Sequence, residues 1–192
     1  LLVGAFMGIS VGVNILIARY VGCRDDRGVT RAVHCSMALS LLLGMVVFLL
    51  GFFLSTPMLR AMDTPDDVLQ LASLYLRLYF IGVPGALVYN FAAAILRAYG
   101  DTKRPLLFLA VSGVLNVFLN LFFVIICKMD VAGVAVATVI SQYVALVMII
   151  VCLMRMEGCA RLKLREIRLY PDEALRMIQI GLPAGLQSVI FN

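Results

Sequence analysis

Long apolar segments without charge constrain the fold of this chain more than any other feature. Of its 192 residues, 63% are hydrophobic and 14% are charged, and the mean hydropathy is +1.04. Soluble domains are about half apolar and about a quarter charged, whereas a helix of roughly 20 apolar residues crosses about 30 Å of hydrocarbon. The alternation of polar and apolar residues that marks a transmembrane β-strand is missing. The sequence therefore predicts an all-α polytopic membrane protein.

Charged residues divide the chain into predicted segments. The first unit, residues 1–159, has spans at about 1–18, 32–55, 71–97, 105–127 and 131–154. Residues 160–177 alternate Leu and Ile with Arg and Lys, which predicts an amphipathic cytoplasmic linker on the membrane surface, with a solvated loop as the alternative. Residues 178–192 begin a further helix. Because the first residue is Leu1 and the last apolar run stops at Asn192, we expect a fragment of a longer protein.

The distribution of basic residues predicts the orientation in the membrane. Thirteen Lys and Arg fall in the turns on one side of the predicted spans, and only Arg60, Arg77 and Lys128 fall on the other. By the positive-inside rule, the basic side is cytoplasmic. The excess of cations then fits contact with anionic membrane lipids, and nucleic acid is not an expected partner. The predicted location is a cell membrane, as a multi-pass protein of a bacterial inner or plasma membrane.

Polar side chains on two neighbouring spans form the first candidate site. Ser112, Asn116 and Asn120 recur at fourfold spacing in the span 105–127, so they share one helix face. The next span carries Thr138, Ser141 and Gln142 on one face. Amides inside hydrocarbon are costly unless they turn inward. We expect them to line a hydrated or ion-coordinating cavity, and interhelical hydrogen bonds that only hold the helices together are the alternative.

Glycine and proline mark candidate packing and hinge positions. Gly4, Gly8 and Gly12 form a flat strip on the first span, which allows close helix packing or sliding. Pro84 and Gly85 interrupt the third span and predict a bend that serves as a hinge or as a static feature of the bundle. Tyr89 and Asn90 follow the bend along the same helix and are expected near the polar cavity.

Acidic side chains are missing from the predicted spans, and His34, the single histidine, lies at a cytoplasmic end. A membrane protease, esterase or metalloenzyme needs an acid, base or metal-ligand cluster inside the membrane. We therefore predict no enzyme activity, no catalytic residues, no cofactor and no metal cluster. An ion-driven carrier also needs an acidic group, which would lie beyond these residues.

Several stretches together resemble the multidrug and toxin extrusion (MATE) family. They are Ala18-Arg19-Tyr20-Val21-Gly22, the loop from Leu96 to Pro105, Leu115-Asn116-Val117-Phe118-Leu119-Asn120, the segment from Ala132 to Thr138, and the segment from Gly181 to Gln187. The loop is the most specific of them, with Arg97, Gly100, Asp101, Thr102 and Pro105 as its motif residues. The likeness extends over nearly the whole chain in the expected order.

The resemblance implies most of one six-helix lobe of a twelve-helix, two-lobe transporter, covering helices two to six and the start of helix seven. It implies a multidrug antiporter that exports cationic or amphipathic organic molecules in exchange for sodium or protons by alternating access. The remaining half of the chain would then be a partner of this part. In the family's cation site, Asn116 and Thr138 match an Asn and a Thr, whereas Asn120 replaces an Asp. Sodium near Asn116 and Thr138 is possible, and the coupling ion stays open.

Two other functions are compatible with the sequence. A lipid-linked oligosaccharide flippase of the same superfamily would share the architecture, although such a protein usually has a cationic cavity and the spans contain no central Lys or Arg. A non-transporting membrane scaffold would use the amides only to hold its helices together.

Overall fold

The computed structural model describes residues 2–61 and 65–190, and these residues form helices joined by short turns. The helices are α1 (Leu2–Gly22), α2 (Asp26–Ala61), α3 (Asp66–Ala98), α4 (Lys103–Leu121), α5 (Asp130–Arg155) and α6 (Pro171–Ile190). A π-helical turn, Phe122–Ile126, extends α4, and two 3₁₀ turns, Gly158–Ala160 and Leu164–Glu166, lie between α5 and α6. The described part of the chain contains no strand, as the sequence predicts.

Four described helices are long and apolar enough to cross a membrane. They cover Asp26–Arg60, Val68–Ala98, Lys103–Ile126 and Val131–Arg155, and a shorter apolar helix covers Gly8–Gly22. The helix α2 has 36 residues and α3 has 33, which at about 1.5 Å per residue exceeds the roughly 30 Å of hydrocarbon. Both helices therefore extend beyond the bilayer, and the chain is a multi-pass membrane protein.

The turn between α1 and α2 shows how the helix ends differ from the ends of the apolar runs. Arg24 has a positive φ of 55°, and Asp25 donates its N–H to the carbonyl of Tyr20 over 3.0 Å. This geometry satisfies the last carbonyls of α1. The Asp25 carboxylate then accepts the N–H of Gly28 over 3.0 Å and caps α2. These caps, and not the charged residues, set the ends of the two helices. As a result α1 ends later, and α2 begins earlier, than the charges at the ends of the predicted spans indicate.

The helix α6 also begins earlier than residue 178, the start that its apolar run predicts. Tyr170 accepts the N–H of Ala174 over 2.9 Å, and Pro171 occupies the first turn. Proline suits this position because it has a fixed φ and lacks the N–H that a first turn leaves unpaired. Asp172 and Glu173 favour the same end because the helix dipole attracts negative charge.

The core of the described chain surrounds the C-terminal half of α3. Every residue from Phe91 to Leu96 is buried, at 2% exposure or less, so this stretch has neighbours on all sides. Apolar side chains of α1, α2 and α5 surround it, and α6 extends the same core by packing against α1 and α2. In contrast, α4 packs along α5 on one face and leaves most of its apolar side chains exposed, including Leu106, Val114 and Phe118.

Glycines hold α1 and α6 together at close range. A Cβ on Gly12 would lie 2.7 Å from the backbone nitrogen of Gly181, and a Cβ on Gly8 would lie against the backbone of Gly185. Such contact with backbone leaves no room for a side chain. Gly8 and Gly12 therefore pack against a matching pair on α6. The surroundings of Gly4 lie outside the part of the chain that the structure describes.

The segment between α5 and α6 is anchored to the helices. Leu162 is 2% exposed, and its N–H donates to the carbonyl of Leu153 over 3.1 Å. His34 is buried as well, and its Nε2 accepts the N–H of Lys163 over 3.2 Å. The leucines of the predicted amphipathic linker therefore do not share one face, because Leu162 lies in the core whereas Leu164 and Leu169 are exposed.

Candidate functional site

Asn116, Asn120 and Thr138 form one chain of hydrogen bonds between α4 and α5. Asn120 donates its Nδ2 to Oδ1 of Asn116 over 3.0 Å, and Asn116 Nδ2 lies 3.5 Å from Oγ1 of Thr138. The Thr138 hydroxyl donates to the carbonyl of Val134 on its own helix over 2.9 Å. Its lone pairs therefore face Asn116, and all three side chains are partly exposed.

Two amide oxygens near this chain lack a hydrogen-bond donor. Oδ1 of Asn120 and Oε1 of Gln142 are buried and have no partner within the described residues. An unsatisfied buried acceptor costs about 1–3 kcal/mol, so each oxygen has the capacity to accept a hydrogen bond or to coordinate a cation. Neutral oxygens of amides and hydroxyls are ligands that sodium accepts, and they also accept hydrogen bonds from water or an organic ammonium group.

The cluster of Asn116, Asn120 and Thr138 is poorly suited to binding a proton. Amides and hydroxyls keep their protonation state through the physiological range, because neither has a pKa there. Across residues 2–61 and 65–190, no three His, Cys, Asp or Glu side chains come together. The residues of the cluster therefore fit a sodium ion or a hydrogen-bond donor better than they fit a proton.

Ser112 and Ser141 form a buried link between α4 and α5. Ser112 donates to the carbonyl of Ser141 over 2.6 Å, and Ser141 donates back to the carbonyl of Ala137 over 2.7 Å. Their exposures are 6% and 3%. Both hydroxyls thus donate to backbone carbonyls. Ser112 and Ser141 therefore lie in the contact between α4 and α5 and not on an open surface.

Gln142 connects the polar face of α5 with the predicted bend in α3. Its Oε1 occupies the space where a side chain on Gly82 would begin. The neighbouring Tyr143 donates its hydroxyl to the carbonyl of Ile81 over 3.0 Å. This carbonyl lies three residues before Pro84, in the turn of α3 next to the carbonyl of Phe80, which the proline leaves without its helical N–H. Tyr143 therefore joins α5 to the turn that precedes the proline, a contact that its position in the sequence did not suggest.

The structure keeps α3 helical through Pro84 and Gly85, and neighbouring helices approach both residues closely. A Cβ on Gly44 of α2 would lie 2.9 Å from Cα of Pro84, and one on Gly85 would lie 3.5 Å from the ring of Tyr143. Gly44 and Gly85 thus allow the turn that contains Pro84 to pack between α2 and α5, at the level where Gln142 contacts Gly82.

Tyr89 and Asn90 lie apart from the amide chain, contrary to the expectation from the sequence. Tyr89 donates to the carbonyl of Pro105 over 2.6 Å, and Asn90 donates to the carbonyl of Ala86 on its own helix over 2.7 Å. Pro105 lies eleven residues before Asn116, roughly 16 Å along α4. Because α3 and α4 are antiparallel and joined by a short turn, Asn116 comes level with the region of Leu78, eleven residues before Tyr89 on α3.

The loop motif forms the turn between α3 and α4 and a groove beside it. Gly100 has φ of 80°, and Asp101 donates its N–H to the carbonyl of Leu96 over 3.0 Å, the same geometry as in the turn after α1. Oδ1 of Asp101 accepts the N–H of Arg104 over 3.1 Å. The groove has a volume of about 400 Å³. Its lining includes Tyr89, Asn90, Arg97, Thr102, Lys103 and Pro105.

Comparisons with known proteins agree with this architecture. The family model described as MatE matches residues 1–122. The chain is 30% identical over 186 residues to the Bacillus subtilis protein named "Probable multidrug resistance protein YpnP", covering 97% of this chain and 41% of that protein. This chain therefore spans about two fifths of the length of that relative.

Solved structures give the same result. A structure of the inward-facing conformation of a multidrug resistance MATE family transporter of the MOP superfamily has a TM-score of 0.90 and 26% identity, over 98% of this chain and 43% of that chain. A Pyrococcus furiosus MOP superfamily transporter has a TM-score of 0.89 at the same identity, over 98% of this chain and 42% of that one. The description of the latter reports a binding pocket of reverse polarity that suggests a different function.

Proposed function

This chain belongs to the MatE family, a family of transporters and not of enzymes, and from that membership we propose that it forms most of one lobe of a multidrug exporter. The whole protein would export cationic or amphipathic organic molecules in exchange for an ion. The remaining part of its chain would form the opposite wall of the transport path. The location would be the cytoplasmic membrane of a bacterium, since the named relative is from Bacillus subtilis.

The unsatisfied Oδ1 of Asn120, beside the Asn116–Thr138 contact, is the single observation that carries the proposal. Most buried amide oxygens of side chains that only hold helices together are paired, whereas Oδ1 of Asn120 is buried without a donor. Such an acceptor beside the contact of Asn116 with Thr138 fits an ion or a cationic ligand that is present for part of the cycle. This property argues against the scaffold alternative.

The mechanism would be a population shift between two states of the protein. An ion bound by the oxygens of Asn116, Asn120 and Thr138 would stabilise the state in which these oxygens converge. Release of the ion would favour the other state, because the acceptors would then need water from the cleft. Since the cluster consists of amides and a hydroxyl, we propose sodium as the ion bound here, and a proton would need a carboxylate elsewhere.

Replacement of Asn116 tests the proposal in the full-length protein. Asn116→Leu should lower efflux of a fluorescent organic cation several-fold while expression in the membrane stays unchanged. The matched control is Val114→Leu, because Val114 lies on the same helix with 58% exposure and, two residues before Asn116, on the opposite face from the amide chain. Equal efflux by the wild type and Asn116→Leu would remove Asn116 from the site.

The ion is tested in liposomes with the purified full-length protein. An imposed sodium gradient should drive uptake or release of the dye, and a proton gradient of equal size should drive it less. Asn120→Leu should reduce the sodium-driven rate. If the proton gradient alone drives transport and sodium has no effect, the assignment of sodium to these oxygens is wrong.

A further inference from the structure

A pair of adjoining cavities opens at the cytoplasmic end of the protein, away from the amide chain. One has a volume of about 590 Å³ and the other about 320 Å³, and both are lined by Thr30, His34 and Glu166. They lie between the first turns of α2, the end of α5 and the segment that leads to α6. We refer to the two together as the linker cavity.

Basic side chains dominate the linker cavity. The larger cavity is lined by Arg155, Arg161 and Lys163, and the smaller one by Arg31, Arg165 and Arg168. Two carboxylates, Glu157 and Glu166, also line it. The net charge is therefore positive, which favours an anionic ligand.

Most of these cations have no partner of opposite charge. Lys163 Nζ pairs with Oε1 of Glu166 at 2.9 Å, and this hydrogen bond holds the pKa of Glu166 below its usual value. Within the described part of the chain, the five arginines of the cavity form no ion pair with a carboxylate. Guanidinium groups form paired hydrogen bonds with phosphate oxygens, so a phosphate group fits them well.

Hydrogen bonds fix the backbone that carries these cations. Nε2 of His34 accepts the N–H of Lys163, and Nδ1 of His34 lies 2.7 Å from the carbonyl of Thr30. Thr30 in turn donates to the carbonyl of Cys159 over 3.2 Å. With Leu162 buried in the core, the segment is held in place before any ligand arrives. A site formed in advance binds more tightly because less conformational entropy is lost.

Apolar side chains are exposed beside the linker cavity, on the side toward the membrane. Val147, Val151 and Met154 are exposed at 60%, 40% and 38% on one face of α5, and Met154 also lines the cavity. Leu164 and Leu169 are exposed in the basic segment itself. A free phosphate ion would gain nothing from these side chains, whereas a lipid would place acyl chains against them.

We propose that the linker cavity binds the phosphate headgroup of an anionic phospholipid from the cytoplasmic leaflet. The arginines contact the phosphate, and the acyl chains lie along Val147 and Val151. The lipid thereby joins α2, α5 and the segment before α6. This site is separate from the proposed transport site and does not depend on the assignment of the substrate.

Thermal unfolding of the full-length protein tests the proposal. In detergent with added phosphatidylglycerol, the melting temperature should rise above the value with phosphatidylcholine. The double variant Arg155→Gln and Arg168→Gln, with one residue in each cavity, should lose most of this rise. The double variant Arg24→Gln and Arg27→Gln has the same change in charge on the same side, outside the linker cavity, and should keep it.

Further controls test whether the bound phosphate belongs to a lipid and whether the positions of the arginines matter. Inorganic phosphate at equal concentration should give no comparable rise, and an equal rise would contradict a lipid ligand. An equal loss in the two double variants would show that overall charge acts without a site, which would overturn the proposal. Native mass spectrometry should show phosphatidylglycerol retained by the wild type and released by the cavity variant, even if that variant is less stable.

Discussion

Asn120 donates its Nδ2 to Oδ1 of Asn116 over 3.0 Å and keeps its own Oδ1 buried without a donor. One amide is thus half satisfied at the contact between two membrane helices. A purely structural buried amide would be expected to use both of its polar atoms. Asn120 also differs from Asn90 in its partner, because Asn120 bonds to a side chain that contacts α5, whereas Asn90 bonds to a backbone carbonyl of its own helix at Ala86.

Asn120→Leu should separate function from stability. Because the variant removes an unpaired acceptor together with one hydrogen bond inside α4, we expect the free energy of unfolding to fall by less than about 1 kcal/mol. Transport should fall several-fold. The measurement compares melting temperature and dye efflux of the same full-length variant. A large loss of stability, with efflux reduced only in proportion to the folded protein, would indicate a structural role.

Asn120→Asp should change the dependence on the ion. A carboxylate at this position would attract a cation more strongly and could also bind a proton. We expect the sodium concentration for half-maximal transport to fall about tenfold, which corresponds to about 1.4 kcal/mol. Transport kinetics at varied sodium and pH measure this change. An unchanged sodium dependence would place the ion elsewhere.

Ser112→Ala, unlike Asn120→Leu, should leave transport intact. The variant removes the 2.6 Å bond from Ser112 to the Ser141 carbonyl, which joins α4 to α5. Such bonds in membrane helices are worth about 0.6 kcal/mol on average, so stability should fall slightly and efflux should persist. Ser141→Ala serves as control, because Ser141 bonds only within its own helix and should have a smaller effect on stability. Loss of efflux at full expression in Ser112→Ala would move Ser112 into the transport site.

Gly12→Ala should disrupt the contact between α1 and α6. The added Cβ would lie 2.9 Å from Cα of Gly181, and backbone cannot move aside at low cost. We expect a loss of about 2 kcal/mol or more, as for other overpacked contacts. Gly22→Ala is the control, since nothing lies within 4 Å of a Cβ there. Equal melting temperatures of the two variants would contradict the close approach.

Gly100→Ala should weaken the turn between α3 and α4. Its φ of 80° lies in the region that residues with a Cβ avoid, so alanine should cost about 1 kcal/mol. Gly113→Ala is a matched control within α4, where open space and a helical backbone make alanine neutral or slightly stabilising. Thermal unfolding of both variants checks the difference. A neutral Gly100→Ala would show that the turn tolerates a side chain.

The sequence predicts the helical membrane architecture because long apolar runs have few other ways to satisfy their backbone in lipid. It also predicts which residues of α4 share a face, since Asn116 and Asn120 follow the helical repeat. It does not predict helix ends, because capping by Asp25 and the first-turn position of Pro171 extend the helices past the charges. An apolar run ends where the chain reaches the membrane surface, whereas a helix ends where its terminal backbone groups find other hydrogen-bond partners.

Contacts between distant segments were the least predictable part of the site. The sequence alone suggests that Tyr89 and Asn90 lie near the amides, but the antiparallel arrangement of α3 and α4 places them beside the turn that joins these two helices. The spacing of Gly181 and Gly185 matches that of Gly8 and Gly12, and this signal could have suggested the contact of α1 with α6. The buried position of His34 depends on the fold of the linker, which leaves no periodic signal.

Labelling of a cysteine at position 120 tests the central claim most directly. In the full-length protein without its native cysteines, Asn120→Cys should react with a membrane-impermeant, water-soluble maleimide, and the rate should change with sodium or drug. In the same background, Val114→Cys, which lies on the opposite face of α4, should not react, and a variant that keeps only the exposed native Cys127 should react in every condition. If Asn120→Cys stays protected in all conditions while Cys127 reacts, the contact between α4 and α5 is dry and the export proposal is contradicted.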